Sequence, residues 1–574
     1  MALINRSFIS RVWGLTRVYW FSEEKWMARG LLTVIITLNL LQVYILVLLT
    51  NWYNTFYNIL QNYEKDSFWS SIGEFSLLAG LHIIIAVYQL YLRQLLEIKW
   101  RRWMTGHYLK NWLDDQTYYR MQLLGQQTDN PDQRISEDLR LFTTMSLTLS
   151  IGLLKSIVTL ASFVLVLWGL SGTANIPLGS YNLNIPGYLV WFALGYSIIG
   201  TWLTHKIGRP LVGLNFNQQR FEADFRFSLV RLRENSESVA FYRGEDQEKV
   251  HFQRRFATVI QNFRQLMKRQ KDLTWFTAGY GQFAIIFPFL VATPRYFANE
   301  IKLGGLMQIS SAFGRVQDAL SFFVESYTSL AEWRAVIGRL ITFIEHMESV
   351  EPSKANLQDG IERNRVPGEN FRVRELEVLL PRGEALLQAV NLELKRGDSL
   401  LIAGPSGVGK STLMRAIAGI WPFGKGKVEL PAGQTVMFVP QKVYLPLGTL
   451  REVLLYPNAG GGTEDQKIRE IMTVCRLEWL AASLDMVEDW SHVLSLGEQQ
   501  RIAFARVLLQ KPEWLFLDEA TSALDEETER ALYKLLKERL PKTAIISVGH
   551  RSTLNAWHSM KLSLSGEGKW SLLR

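Results

Sequence analysis

Apolar residues in this chain are gathered rather than spread. Before about residue 330 they form six runs long enough to cross a bilayer, at residues 31–50, 72–92, 147–170, 188–204, 275–293 and about 306–330. After about residue 365 they shorten to strand-sized pieces. Hydrocarbon offers the backbone no hydrogen-bond partners, so runs of the first kind must be helical where they cross. The change of texture predicts a helical membrane domain over residues 1–345 and a soluble domain over 369–574, in which strands alternate with helices. A polar stretch between them, residues 351–367, predicts a linker over 346–368. The sixth run is the weakest, because it holds Arg315, Asp318 and Glu325.

Basic residues orient the runs. The N-terminal segment carries Arg6, Arg11, Arg17, Lys25 and Arg29; the connection 93–140 includes Lys99, Arg101, Arg102 and Arg120; the connection 206–271 includes Arg231, Arg233, Arg254, Arg255 and Arg269. Residues 171–187 hold no charge, and 51–69 hold one lysine. A multi-pass protein with both termini in the cytosol follows. The formal net charge of +9 therefore belongs to the membrane flanks and does not point to nucleic acid. A single cysteine, Cys475, excludes an internal disulfide framework and suits a reducing compartment. The first residues lack the compact apolar core and small-residue cleavage site of a signal peptide.

Trp13, Tyr19, Trp20, Phe21 and Trp26 lie among the first arginines, which fits an interfacial amphipathic helix or an aromatic belt before the first span. Residues 221–232 and 250–266 are helix-like and read as cytosolic extensions of membrane helices. His82, Lys155 and Glu325 fall inside spans. Ionisable groups there line a hydrated cavity for a hydrophilic solute, or else snorkel and pair locally.

The soluble part carries the chemistry. An apolar strand ending at Ala403 runs into Gly404, Pro405, Ser406, Gly407, Val408, Gly409, Lys410, Ser411 and Thr412, followed by a helical pattern. Strand, glycine-rich turn and helix in this order make a phosphate-binding loop. Its backbone N–H groups and helix N-terminus cradle phosphate, Lys410 neutralises the β and γ phosphates, and Ser411 holds Mg2+. A second strand, 514–517, ends in Asp518 and Glu519, a Mg2+ carboxylate and a base that polarises the attacking water. Gln441 lies between these strands, where its side chain can sense both the γ-phosphate and the membrane domain and also serve the Mg2+; His550 follows a third strand, 544–548, and faces the same phosphate. Ser495, Gly497 and Glu498 open a helix that runs to about Gln510, with Ser495 and Glu498 spaced as a capping box. That makes an anion site with no lysine of its own, suited to closing over a nucleotide held by another subunit.

The segment from Leu494 to Arg501 resembles the signature of ABC transporters, and Ser522 to Asp525 resembles the D-loop of that family, which places Asp525 at the nucleotide. Two departures stand out. Leu496 replaces the usual first glycine of the signature, and the stretch Val378 to Arg382 lacks the aromatic that normally stacks on adenine. Phe438 is a substitute for that aromatic or a core residue.

Finer segments narrow the resemblance. Residues 129–138, where Asn130, Pro131 and Gln133 predict a capped helix start, residues 234–245, Gly419 to Pro422 and Pro440 to Arg451 look like the group that joins peroxisomal fatty-acyl transporters (subfamily D) with bacterial SbmA/BacA peptide-uptake proteins. The fused ATPase makes the whole chain similar to YddA-type proteins. This resemblance implies a type IV, exporter-like fold of six helices with an α/β P-loop ATPase, working as a homodimer in the bacterial inner membrane. It implies ATP and Mg2+ as cofactors, contact with membrane lipid, and a hydrophilic solute (peptide, peptide antibiotic or cobalamin-like compound) taken up at the cost of ATP. A fatty acid or acyl-CoA is the alternative cargo. A proton-driven transporter with a vestigial ATPase is disfavoured by intact Lys410, Asp518 and Glu519. Residues 129–138 and 234–245 are expected to dock on the ATPase beside Gln441.

Overall fold

The computed structural model describes residues 6–123, 130–178, 181–350, 360–458, 462–566 and 568–574. They divide into two units, one comprising residues 1–111 and 129–345 and the other 112–128 and 346–574.

Among the described residues of the first unit are six long helices, Lys25–Gln61, Lys65–Leu113, Leu139–Ser171, Tyr188–Glu234, Glu245–Phe297 and Leu303–Val350, the last running on into the second unit. Each contains one of the apolar runs. Four stretches, within Lys25–Gln61, Lys65–Leu123, Pro131–Ser171 and Glu245–Phe297, are long and apolar enough to cross a membrane by length and composition. Outward-facing residues on these helices, including Leu77, Ile83, Val87 and Leu165, are large and apolar, as a face against lipid requires. Inside, Phe163, Leu167, Leu189, Ala292, Phe313 and Val316 form a core drawn from four helices. Tyr196 and Tyr280 stack at 4.5 Å, and each hydroxyl donates to the other's backbone carbonyl, at 2.6 and 3.2 Å. The stretches of Tyr188–Glu234 and Glu245–Phe297 on either side of the turn between them stay paired, because Asn262 donates to the Leu214 carbonyl and to Gln218, and Phe225 packs on Phe256.

Two polar devices escaped the sequence reading. An amide ladder joins the first and last long helices: Asn58 donates to Asn54, Asn54 to Gln308 and Gln308 to Asn51, at 2.6–2.8 Å. Gly304 sits so close to the Asn54 carbonyl that a Cβ would lie 2.0 Å from it. The second device is Asp138, 1% exposed, which accepts from Arg134 and from both Nε and Nη2 of Arg339 at 2.9 and 2.6 Å. A buried carboxylate is tolerable only when so paired.

Several expectations are corrected here. Asn130 makes no side-chain cap, and Gln133 donates to Glu137 instead of closing a box. The reason is that the chain passes from Pro131–Gln133 straight into a wide helical turn, Arg134–Asp138, which continues into Leu139–Ser171. Asp129 lies outside the described residues. Arg134, Ile135 and Asp138 are buried within the first unit. The helix Thr117–Leu123 belongs to the second unit, where Leu123 packs on that unit's core. The N-terminal segment forms a helix, Arg6–Trp20, on which Trp13 is exposed while Tyr19 is fully buried and stacks on Trp100 at 5.7 Å. Within the stretch read as linker, residues 351–359 lie outside the described ones, and Ile361–Val366 forms a strand parallel to Gly424–Pro431. Its alternating charges look like a solvated linker because both faces of this edge strand are largely exposed.

Among its described residues the second unit has two larger sheets, besides a two-residue ladder between Gly448–Thr449 and Val487–Glu488. Four strands run in the order Ile361–Val366, Gly424–Pro431, Phe371–Leu379, Ala385–Leu394. Six run in the order Lys569–Leu573, Met560–Gly566, Ser399–Ala403, Ala544–Val548, Trp514–Asp518, Val436–Val439, parallel except for the first pair. Strands 399–403, 514–518 and 544–548 are buried nearly throughout and read as continuous apolar runs, as parallel strands covered on both faces must. Phe438 stacks on Phe516 at 4.4 Å and is a core residue. Cys475 is buried, and burial pushes its thiol up to about 12, so it is inert at neutral pH.

Behind the central sheet, the Tyr533 hydroxyl donates to Ser547 Oγ at 2.9 Å, and Ser547 in turn faces His558 Nε2 at 2.9 Å. His558 Nδ1 meets the Leu554 carbonyl at 2.8 Å, which requires the Nδ1–H tautomer of a neutral ring. Burial pushes His558 down to about 4, with Lys537 acting in the same direction. The unfolded chain takes up this proton near pH 6.5 and the folded one does not, so the group's contribution is complete above pH 6.5 and is lost as pH falls toward 4. The loss approaches about 3 kcal/mol at the lower end. His558→Gln should therefore show a smaller fall in unfolding midpoint between pH 7.5 and 5 than the unmodified chain; an equal fall contradicts this assignment.

Candidate active site

Three parallel strands deliver the site. Pairing aligns Ile402 with Val548 and Val548 with Asp518, so the strands end level, and the loops that leave them carry Gly404, Gly549 and Glu519. Ligands in open α/β sheets bind beyond such carboxyl ends.

In the first loop, Gly404, Gly407 and Gly409 have φ of +155°, +80° and +102°. A Cβ on Gly404 would lie 2.5 Å from the Leu564 carbonyl, and one on Gly409 would lie 2.6 Å from Leu386. Pro405, Ser406 and Gly407 are exposed, while Val408 packs on the core. Lys410 is 5% exposed, and its Nζ donates to the carbonyls of Gly404 at 2.9 Å and Pro405 at 2.8 Å. Burial lowers its ammonium from the ordinary lysine range, against the pull of Glu519 and Asp518. Ser411 and Thr412 stand in the first turn of Lys410–Ala418, and Ser411 Oγ donates to Asp518 Oδ1 at 2.9 Å. Burial raises Asp518, opposed by that bond and by Arg415 and Lys410.

Glu519 sits at φ +49°, a left-handed backbone that a glutamate adopts only when its surroundings hold it there. One of its oxygens accepts from Gln441 Nε2 at 2.9 Å, and the other lies 3.2 Å from His550 Nε2. Gln441, Glu519 and His550, which stand far apart in sequence, thus meet at one carboxylate.

Ser495, Gly497 and Glu498 are elsewhere on the same unit. The capping box forms: Ser495 N and Oγ donate to Glu498 Oε2 at 2.9 and 2.7 Å, and the helix runs Leu496–Gln510. Leu496 is 66% exposed. Among the described residues no hydrogen bond joins this helix start to the loop at Lys410. Asp525 has both oxygens taken by Thr528, at 2.8 Å each, so it caps the helix Glu526–Arg539. Val378 is sealed in the core of the smaller sheet, leaving Leu380 and Arg382 at the adjoining hairpin.

Arg506 was not singled out from the sequence. It is 6% exposed, donates to the carbonyls of Val453 at 2.8 Å and Tyr444 at 2.9 Å, and lies over the Tyr456 ring. It ties the helix that begins at Ser495 to the segment following Gln441. An arginine inside the apolar run from Ile502 to Leu509 was the available signal.

Gly404→Ala meets both a left-handed φ and a backbone oxygen, whereas Gly407→Ala meets open space. The first should cost about 2–4 kcal/mol and the second about 1. Thermal unfolding and ATP-analogue binding should both rank Gly404→Ala as the worse, and equal effects would contradict the packing described.

The comparisons agree with this geometry. Residues 15–297 match the ABC transporter transmembrane region 2 family, and residues 387–522 match the ABC transporter family of ATPase domains. The chain is similar to the inner membrane ABC transporter ATP-binding protein YddA of Escherichia coli, 34% identical over 95% of this chain and 96% of that one. It is similar to the human lysosomal cobalamin transporter ABCD4, 27% identical over 100% of this chain and 97% of that one. Its fold matches the structure of a bacterial Atm1-family ABC exporter with ATP bound, with TM-score 0.68, 18% identity and 95% of each chain covered. A helical membrane region and an ATPase fused in one chain, with relatives aligned over nearly their full length, place it: the chain belongs to the ABC transporters, close to YddA and to subfamily D, and hydrolyses ATP to drive transport.

Proposed function

We propose that two copies of this chain form one transporter, with ATP bound between Lys410 of one copy and Ser495 of the other, and that it takes a hydrophilic solute into the bacterial cytosol across six helices per chain. The observation that carries the ATP half is the convergence of Lys410, Ser411, Asp518, Gln441, Glu519 and His550 on the ends of three strands, while Ser495 and Gly497 stand apart with no lysine. The loop over 404–409 wraps the phosphates, and Lys410 exchanges its two carbonyl partners for phosphate oxygens. The hydroxyl and carboxylate of Ser411 and Asp518, with the amide oxygen of Gln441, are hard oxygen donors that suit Mg2+. Such an ion neutralises phosphate charge when bound. Glu519 orients the attacking water and accepts its proton, and His550 contacts the γ-phosphate. Gln441 and His550 leave Glu519 when they take up those roles.

The hydrophilic cargo rests on the membrane unit. Lys155 Nζ donates to Gln42 at 3.1 Å. His82 Nδ1 is buried without a partner among the described residues, and Lys155 and Arg315 lie within electrostatic reach of it. Glu325 lies on the helix Leu303–Val350, and its side chain is outside the described ones. Polar groups drawn together from several spanning helices favour a hydrated path over one lined for an acyl chain. The human relative is a cobalamin transporter, which favours the same class.

The test uses inside-out membrane vesicles preloaded with labelled cobalamin, a cationic peptide or an acyl-CoA and given ATP outside. Cobalamin or peptide should leave the lumen, and the Glu519→Gln chain should bind ATP, turn it over roughly a thousandfold slower (about 4 kcal/mol) and move nothing. Movement of acyl-CoA alone would replace the hydrophilic reading. ATP-driven accumulation inside the vesicles would reverse the direction.

A further inference from the structure

The helix Arg6–Trp20 has two unlike faces. Phe8, Leu15 and Tyr19 are buried against the protein, with Phe8 edge-on to Trp333 at 6.0 Å. The other face is exposed, and it is not a plain water-facing surface. Trp13, Arg17 and Phe21 follow at intervals of four and so stand in one row, which the bond from the Phe21 N–H to the Arg17 carbonyl carries past the end of the helix. Trp13 and Phe21 are 54% and 55% exposed, with their rings 6.5 Å apart, and Trp26 beside them is 75% exposed.

The Phe21 ring carries two guanidinium groups, Arg17 at 5.6 Å and Arg29 at 4.8 Å from its centre. Arg29 is fixed there by its bond to the Trp20 carbonyl at 3.0 Å. Lys25 follows the same turn, and Lys99 reaches it from the next long helix, its Nζ donating to Met27 Sδ at 3.0 Å. Among the described residues, Glu23 and Glu24 in the turn form no ion pair with any of these four cations. Arg29 stands two residues before the first apolar run, at the edge of the hydrocarbon.

Exposed aromatic rings at that level belong between headgroups and acyl chains. Two cations sharing one ring repel each other until an anion lies between them, and a guanidinium fork matches phosphate oxygens. We propose that Arg17 and Arg29, on the Phe21 ring and flanked by Trp13 and Trp26, bind the phosphate of an anionic phospholipid in the leaflet that receives this helix. A zwitterionic headgroup brings its own cation toward Lys25 and Lys99 and an anionic one does not, so the surface selects by charge. Neither the cargo nor the sharing of ATP between chains enters into this site.

Native mass spectrometry of the full-length protein tests it, with phosphatidylglycerol and phosphatidylcholine of identical acyl chains supplied in equal amounts. The unmodified protein should retain phosphatidylglycerol over phosphatidylcholine by about tenfold or more, as two basic residues at an anionic surface supply, and less so as salt is raised. Arg17→Gln and Arg29→Gln should each lower that preference severalfold. Arg17→Lys, which keeps the charge and loses the fork, should fall between. Arg231→Gln, near the far end of Tyr188–Glu234, should leave it unchanged. Arg17 lies on the exposed face, so Arg17→Gln keeps the test open if Arg29→Gln, which loses the bond to Trp20, does not fold. Equal retention of the two lipids by the unmodified protein overturns the proposal. A loss in Arg17→Gln no larger than that in Arg231→Gln overturns it as well.

Discussion

The site depends on hydrogen bonding between strands 399–403, 544–548 and 514–518. Their register levels Ile402, Val548 and Asp518. Once it is set, the phosphate loop, His550 and Glu519 leave the sheet from one row, and the Ser411–Asp518 bond closes across it at 2.9 Å. Burial on both faces makes the register rigid, because a one-residue slip would carry Leu401, Ile546 and Phe516 to the opposite face, into packing shaped for other side chains. The left-handed backbone at Glu519 is held by the same frame, since its N–H donates to the Val548 carbonyl at 3.1 Å.

What could be read in the sequence follows from how local each feature is. The phosphate loop, the strand ending in Asp518 and Glu519, the capping box of Ser495 and Glu498, and the long apolar helices are all written in contiguous residues. Features that join distant positions were not visible. Asp138 gave no sign that it pairs with Arg339, nor Glu529 that it holds Arg551, because each is a common surface residue type until the fold buries it. The amides of the ladder fall in separate places, Asn51, Asn54 and Asn58 just past the first apolar run and Gln308 inside the sixth, so nothing local joins them. At Asn130 the local rule was present and lost, because continuity of the following helix outweighed one cap worth about 1 kcal/mol.

The membrane unit combines two means of association. Where lipid removes most of the hydrophobic driving force between helices, close backbone approach and interhelical hydrogen bonds hold them. Gly304 against Asn54, Gly200 under the Tyr280 ring and Gly152 against Phe322 supply the close approach. The amide ladder and the Lys155–Gln42 bond supply the hydrogen bonds.

The proposed two-chain site rests on the separation of Ser495 from Lys410 within one chain, and mixed dimers test it most directly. Chains carrying Lys410→Ala are combined with chains carrying Ser495→Arg, the dimers bearing one of each are purified, and ATP binding is counted. Sites shared between chains leave one site doubly damaged and the other intact, so these dimers should bind one ATP with unmodified affinity. Binding no better than that of either mutant homodimer would contradict a shared site.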